Sequence, residues 1–143
     1  MTKETLAREV IEQLCETAVK MREKSYVPYS HFHVGAALLT DDGEIYTGCN
    51  IENASYTPSV CAERTAFFKA VSEGHRSFRA IAISGGPEDG PLQYCPPCGV
   101  CRQVMAEFCT GNFPVYLAKS GTDYEAHTLE ELLPVRFTPA NLA

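Results

Sequence analysis

No apolar run in this chain approaches the ~20 residues that a membrane-spanning helix needs. Its first residues, Met1-Thr2-Lys3-Glu4-Thr5, have no apolar core behind a basic start, so no signal peptide is expected and the chain should stay in the cytoplasm. Positive charge is scarce. Lys and Arg total 12 against 18 Asp and Glu, a formal net charge of −6. A protein that grips a phosphate backbone usually carries a basic face, so neither nucleic acid nor a membrane is an expected partner. The chain also lacks internal repeats, linkers and low-complexity segments. Its seven cysteines are an odd number. In a reducing compartment that count argues against a disulfide framework and leaves the thiols as metal ligands, catalytic groups or small core residues.

The 143 residues are enough for one domain with one core and too few for two. With 45% apolar and 21% charged residues, the composition is that of an ordinary globular protein. Leu6, Val10, Leu14, Ala18 and Met21 recur at spacings of three and four, which predicts an amphipathic helix over 3–24, with Pro28 beyond its end. Residues 32–40 read as a mostly buried strand. Asp41-Asp42-Gly43 signals a hairpin, and 44–49 pairs back as a second strand. A loop over 50–60 precedes a helix over 61–73, closed by Gly74. The β-branched run 78–84 is a third strand and 85–97 a Gly/Pro loop. Residues 99–109 are a helix stopped by Gly111-Asn112. Strands over 114–119 and 124–127 are joined too tightly for a parallel crossover and should be antiparallel. A short helix over 129–133 precedes an irregular tail from Pro134. Helices alternating with apolar strands imply an α/β fold, a three-layer α/β/α sandwich around a five-stranded mixed sheet, with 1–143 as one domain.

Two fragments carry chemistry: Cys61-Ala62-Glu63-Arg64 and Pro97-Cys98-Gly99-Val100-Cys101-Arg102. Each falls where a helix is predicted to begin. Free first-turn N–H groups and the positive end of the helix dipole favour thiolate there, and thiolate is the form that binds zinc. Cys98 and Cys101, three apart, share one helical face, and Cys61 can supply a third ligand. Three protein ligands leave one tetrahedral position open for water, the pattern of a catalytic zinc. Glu63, two residues from Cys61, can lean over that position and exchange protons. Two plainer readings stand beside this one. A redox Cys-x-x-Cys needs only Cys98 and Cys101 and leaves Cys-Ala-Glu unexplained. A structural four-ligand site could recruit Cys95 or Cys109. Cys15 and Cys49 are most simply core or near-surface thiols.

Taken together, Cys61-Ala-Glu63 and Pro97-Cys98-x-x-Cys101 resemble the zinc deaminases, which hold zinc with three cysteines in one variant and use a non-ligand Glu. In a chain this short, the three-cysteine form is similar to the homotetrameric branch of the cytidine/deoxycytidylate deaminase family. The two-domain dimeric branch has His in the first ligand position. The resemblance spans nearly the whole chain. It includes Tyr29-Ser30-His31-Phe32-His33-Val34-Gly35-Ala36-Ala37, Gly48-Cys49-Asn50-Ile51-Glu52-Asn53-Ala54-Ser55-Tyr56 and Leu132-Leu133-Pro134-x-x-Phe137.

The resemblance implies one zinc per chain on Cys61, Cys98 and Cys101, Glu63 as the proton-transfer group, and a free pyrimidine nucleoside as substrate. Asn50 and Glu52 would meet the ribose hydroxyls; two apart on an extended segment, they point the same way. Ala54 and Tyr56 would meet the ribose 5′ side of a neighbouring subunit. Phe32 would pack on the pyrimidine, Phe137 would close over the base of an adjacent subunit, and the Ala62 N–H would bind a base edge. Arg64 and Arg102 would draw charge from the thiolates, since three thiolates around zinc blunt its acidity. Without the resemblance, Phe32 and Tyr56 read as packing residues, Asn50-x-Glu52 as a solvated loop and both arginines as exposed helix charges. Rival assignments are a deaminase for a related nucleoside antibiotic, a polynucleotide editor, which the net charge disfavours, and a structural zinc module that binds a partner.

Overall fold

The computed structural model describes residues 6–143. The helix predicted over 3–24 is α1, Arg8–Met21, running into a 3-10 turn at Arg22–Lys24; positions 3–5 of that expectation lie outside the described residues. Its apolar stripe buries Ile11, Leu14, Cys15 and Ala18, so Cys15 is a core thiol. Burial pushes that thiol up to about 12, with Glu12 adding to the shift.

The strands are β1 (Phe32–Thr40), β2 (Ile45–Cys49), β3 (Phe78–Pro87), β4 (Pro114–Ala118) and β5 (Tyr124–Thr128). They form one sheet in the order β2-β1-β3-β4-β5. The β3–β4 pair is parallel and the other three pairs are antiparallel, including the predicted β4–β5 pair. Strand β3 runs three residues past its expected end. Gly85 and Gly86, read as the start of a loop, continue the ladder opposite Val34 and His33. A long antiparallel partner thus overrides the turn signal of Gly-Gly-Pro.

The other helices are α2 (Ala62–Ser72), α3 (Gly99–Phe108) and α4 (Leu129–Leu132). Gly74 takes the left-handed conformation expected beyond α2, with φ 104°. Helix α3 ends one residue earlier than expected: Cys109 is already extended, and the helix stops before Gly111-Asn112. Helix α4 starts on a capping box in which Thr128 and Glu131 satisfy each other's backbone N–H groups.

One face of the sheet carries α1, where Leu14, Cys15 and Ala18 pack on Ala37, Leu39, Ala80, Ala82 and Tyr116. The other face buries Ala66, Phe67 and Ala70 of α2, Met105 of α3 and Leu129 of α4 against Leu38, Ile81, Ile83 and Val115. This is the expected three-layer α/β/α arrangement. No helix of the described residues is long and apolar enough to cross a membrane. Gly48 sets how closely α2 approaches the sheet. A Cβ there would run into the Ala62 carbonyl and the Ala66 amide, so glycine lets the first turn of α2 settle directly on β2.

Candidate active site

Helices α2 and α3 begin side by side on the same face of the sheet, and each begins on a cysteine. Cys61 caps α2 and Cys98 caps α3. Both have extended backbones, and neither side chain makes a capping hydrogen bond. Cys101, buried in the first turn of α3, completes the group. Thr65 ties this end of α2 to the sheet, its hydroxyl lying 3.1 Å from the Cys49 carbonyl and 3.2 Å from that of Cys61.

The sulfurs of Cys61, Cys98 and Cys101 all lie within 4.8 Å of one another. Cys61 and Cys98 are 3.7 Å apart, and Cys98 and Cys101 are 3.5 Å apart. A tetrahedral ion with Zn–S bonds of about 2.3 Å requires sulfurs about 3.8 Å apart. The trio therefore fits zinc with little adjustment and leaves the fourth position outside the donor set. Cys95 and Cys109 do not join the cluster, which removes the support for a four-cysteine structural site. Cys109 instead lines a cavity of about 430 Å³ near the start of β3, with Phe78, Arg79 and Phe113. That cavity holds none of the predicted site residues.

Electrostatics prepare the trio for a cation. A hydrogen bond from the Cys101 thiol lowers the pKa of Cys61, and contacts from Arg64 and Cys98 add to it. The same bond, together with burial, raises the Cys101 thiol. Arg64 Nη2 donates to Cys61 Sγ at 3.4 Å. Arg102 does not share that role. Its Nε donates to the Pro97 carbonyl at 2.7 Å and its Nη1 to the Leu132 carbonyl at 2.5 Å, so it braces the α3 entry against the C-terminal segment. Of the two arginines assigned to the thiolates, only Arg64 hydrogen-bonds one. Arg102 sits one helical step further round, where backbone carbonyls rather than sulfur come within reach.

Glu63 is 4% exposed in the first turn of α2. Burial raises its carboxyl to about 7, and the neighbouring Cys61 charge adds to the rise. A carboxyl poised near neutrality can both take and give a proton.

The remaining predicted residues gather along β1 and the segment after β2. Phe32 opens β1 on the face shared with α2 and α3, and its ring edge borders Gly85. A Cβ built on Gly85 would meet Cys95 Sγ at 2.8 Å and Phe32 at 3.3 Å, so the missing side chain makes room for both. Cys95, read from the sequence as a candidate fourth ligand of a structural site, is thus a neighbour of Phe32. Burial raises its thiol to about 11, with the Glu63 and Cys61 charges contributing. Asn50 Oδ1 accepts from the Val34 amide, and its Nδ2 donates to the Phe32 carbonyl, both at 2.9 Å. Glu52 accepts from the amides of Tyr29 and Ser30 at 3.0 and 3.1 Å and from the Ser30 hydroxyl. These bonds, the Ser30 hydroxyl first, hold its carboxyl below the usual range. Both side chains are therefore anchored to the 29–34 segment. Sequence reasoning missed that anchoring role of Ser30, which no periodicity signals.

Ala62 is buried at the first position of α2. Ala54, Tyr56 and Phe137 do not reach the sulfurs through any hydrogen bond or aromatic pair of their own. Ala54 is exposed. Tyr56 is 73% exposed, at φ 66°, and touches Tyr29 edge-on. Phe137 is 56% exposed, its carbonyl accepting from Gln103 at 2.9 Å.

The geometry is matched by known proteins. A family model described as "Cytidine and deoxycytidylate deaminase zinc-binding region" matches residues 8–117. The cytidine deaminase of Sporosarcina psychrophila is 55% identical over 133 residues, which cover 93% of this chain and 95% of that protein. That of Halalkalibacterium halodurans is 50% identical over 131 residues, covering 92% and 96%. A crystal structure of the cytidine deaminase from Burkholderia pseudomallei matches with a TM-score of 0.78 at 47% identity, covering 87% of this chain and 97% of that one. A sulfur trio of zinc dimensions agrees with that zinc-binding description, and the chain belongs to the cytidine and deoxycytidylate deaminase family.

Proposed function

We propose that this protein is an enzyme that hydrolyses the C4 amine of cytidine and deoxycytidine, giving uridine and deoxyuridine with release of ammonia. The observation that carries this reading is the buried Glu63 carboxyl two residues from Cys61, at the edge of a sulfur trio spaced for zinc. Zinc held by Cys61, Cys98 and Cys101 would supply Lewis-acid activation of water for attack on C4. Glu63 takes a proton from that water and delivers it to N3 of the base. The C4–O bond forms in that attack; Glu63 then carries the second proton from the added oxygen to the exocyclic nitrogen, the C4–N bond breaks, C4=O forms and ammonia leaves. The amide of Ala62 and one near Cys98, first-turn N–H groups without intrahelical partners, meet the base edge. Arg64 draws charge from the Cys61 sulfur.

Phe32 packs on the pyrimidine, while Asn50 and Glu52 present amide and carboxylate to the ribose. Ala54, Tyr56 and Phe137 complete the site of a neighbouring subunit in a homotetramer. Tyr56, Val135, Phe137 and Leu142 are exposed in the isolated chain, which supports an assembly that covers them. Residues 1–143 act as a single catalytic domain in cytoplasmic pyrimidine salvage. The test is ammonia release from purified protein supplied with cytidine, deoxycytidine, CMP and cytosine. The two nucleosides should react, CMP and cytosine should not, and failure on both nucleosides would overturn the reading.

A further inference from the structure

The turn that delivers Phe32 is gripped from behind by an acidic side chain with no part in the proton transfers of deamination. His31 precedes β1 at φ 57°, a left-handed conformation uncommon in a residue with a Cβ. Strand alternation then sends Phe32 to the face of α2 and α3 and His33 to the face of α1. Across the ladder, Phe32 pairs with Pro87, and the next residue, Glu88, donates its amide to the His31 carbonyl at 2.8 Å. The Glu88 carboxylate closes on both imidazoles that flank Phe32. Its Oε1 lies 3.1 Å from His33 Nε2 and 3.5 Å from His31 Nδ1. His33 in turn is fixed on its far side, with Ser25 Oγ 2.5 Å from Nδ1 and its carbonyl accepting from Arg22 Nε at 3.1 Å. Arg22 Nη2 reaches on to the Gly86 carbonyl at 3.4 Å, one residue before Pro87. The Glu88 carboxyl is held below the ordinary range, first by the His33 hydrogen bond and also by His31.

We propose that Glu88 is a positioning residue for substrate binding. By clasping His31 and His33 it holds the left-handed turn and fixes the ring that Phe32 offers to the base. The proposal rests on the reading that Phe32 packs on the pyrimidine. Strained backbone persists only where its surroundings over-determine it. Here a backbone bond and a two-point carboxylate contact do so from the strand opposite. His33 is the anchored end of the clasp, since Ser25 and Arg22 already hold it. His31, which carries the left-handed backbone, is the end that Glu88 restrains.

The experiment is steady-state deamination of cytidine by the zinc-loaded Glu88→Ala, Glu88→Gln, Phe32→Ala and Phe32→Ala/Glu88→Ala variants, with zinc content measured for each. Glu88→Ala should raise KM about three- to fivefold, the scale of a partly exposed hydrogen-bond contact, with kcat within about twofold and zinc unchanged. Glu88→Gln keeps an acceptor oxygen for both rings and should recover at least half of the loss. It also serves as the test if the Ala variant does not fold. Because Glu88 acts through the Phe32 ring, the double variant should bind no worse than Phe32→Ala alone. Wild-type KM in Glu88→Ala while Phe32→Ala is impaired overturns the proposal, as does a Glu88 effect that persists in full without the ring. Wild-type KM in Phe32→Ala would remove the base-packing reading itself, and the proposal with it.

Discussion

Replacing Arg64 and Arg102 separately by Gln probes which arginine tempers the thiolates. Arg64 Nη2 donates to Cys61 Sγ at 3.4 Å, whereas both donor contacts of Arg102 end on carbonyl oxygens. A hydrogen bond to a charged group is worth about 1.5–3 kcal/mol, and partial solvent access to Arg64 brings this down to about 1–2 kcal/mol. If that stabilisation is felt mainly as negative charge builds on the substrate, kcat of Arg64→Gln should fall about 5- to 30-fold, with KM within about twofold. Arg102→Gln should instead lose the brace between the Pro97 and Leu132 carbonyls. At about 1.5–2 kcal/mol in a chain of this size, its melting temperature should drop by about 3–8 °C while kcat stays within about threefold. Ammonia release, metal analysis and thermal melts on the zinc-loaded proteins measure all of this. Wild-type kcat in a zinc-replete Arg64→Gln would refute the reasoning. So would an Arg102→Gln variant that loses as much kcat as Arg64→Gln at unchanged melting temperature.

Single Ala replacements of Cys61, Cys98 and Cys101 should each remove most of the zinc, whereas Cys95→Ala and Cys109→Ala should retain it, because only the first three sulfurs lie within ion-binding distance of one another. Metal analysis decides this. Glu63→Ala should keep its zinc and lose several orders of magnitude in kcat, since one carboxyl performs successive proton transfers, each contributing about 10²–10⁴-fold. Near-normal turnover would remove Glu63 from the mechanism. Chelation should lower the melting temperature of the wild type and re-addition of zinc restore it, because the ion binds the folded trio and not the unfolded chain. Phe137→Ala should raise KM for cytidine and shrink the particle in light scattering together. If the ring served only its own chain, thermal stability alone would fall.

Much of the molecule is legible in its sequence because local rules and global packing agree. The 3.6-residue stripe of α1, the run of β1, the hairpin at Asp41-Asp42-Gly43 and the closure of α2 at Gly74 are each set by neighbours a few residues apart. The zinc trio is legible for the same reason. Cys98 and Cys101 share a helical turn, and thiols at helix starts have an electrostatic purpose wherever the helices end up. Tertiary structure decided what depends on contacts distant in sequence. The ladder with β1 carried β3 through Gly85 and Gly86, which local turn chemistry marks as a stop. The two arginines, Arg64 three residues after Cys61 and Arg102 directly after Cys101, look alike in the sequence. Only the packing of α2 on α3 and of the 132–137 segment on α3 put Arg64 on sulfur and Arg102 on carbonyls. Likewise, no spacing rule connects Glu88 to His31 and His33 or Ser30 to Glu52. Those pairs meet because an antiparallel register and the return of the chain after β2 bring them together, and hydrogen bonds formed by such approaches leave no periodic trace in the sequence.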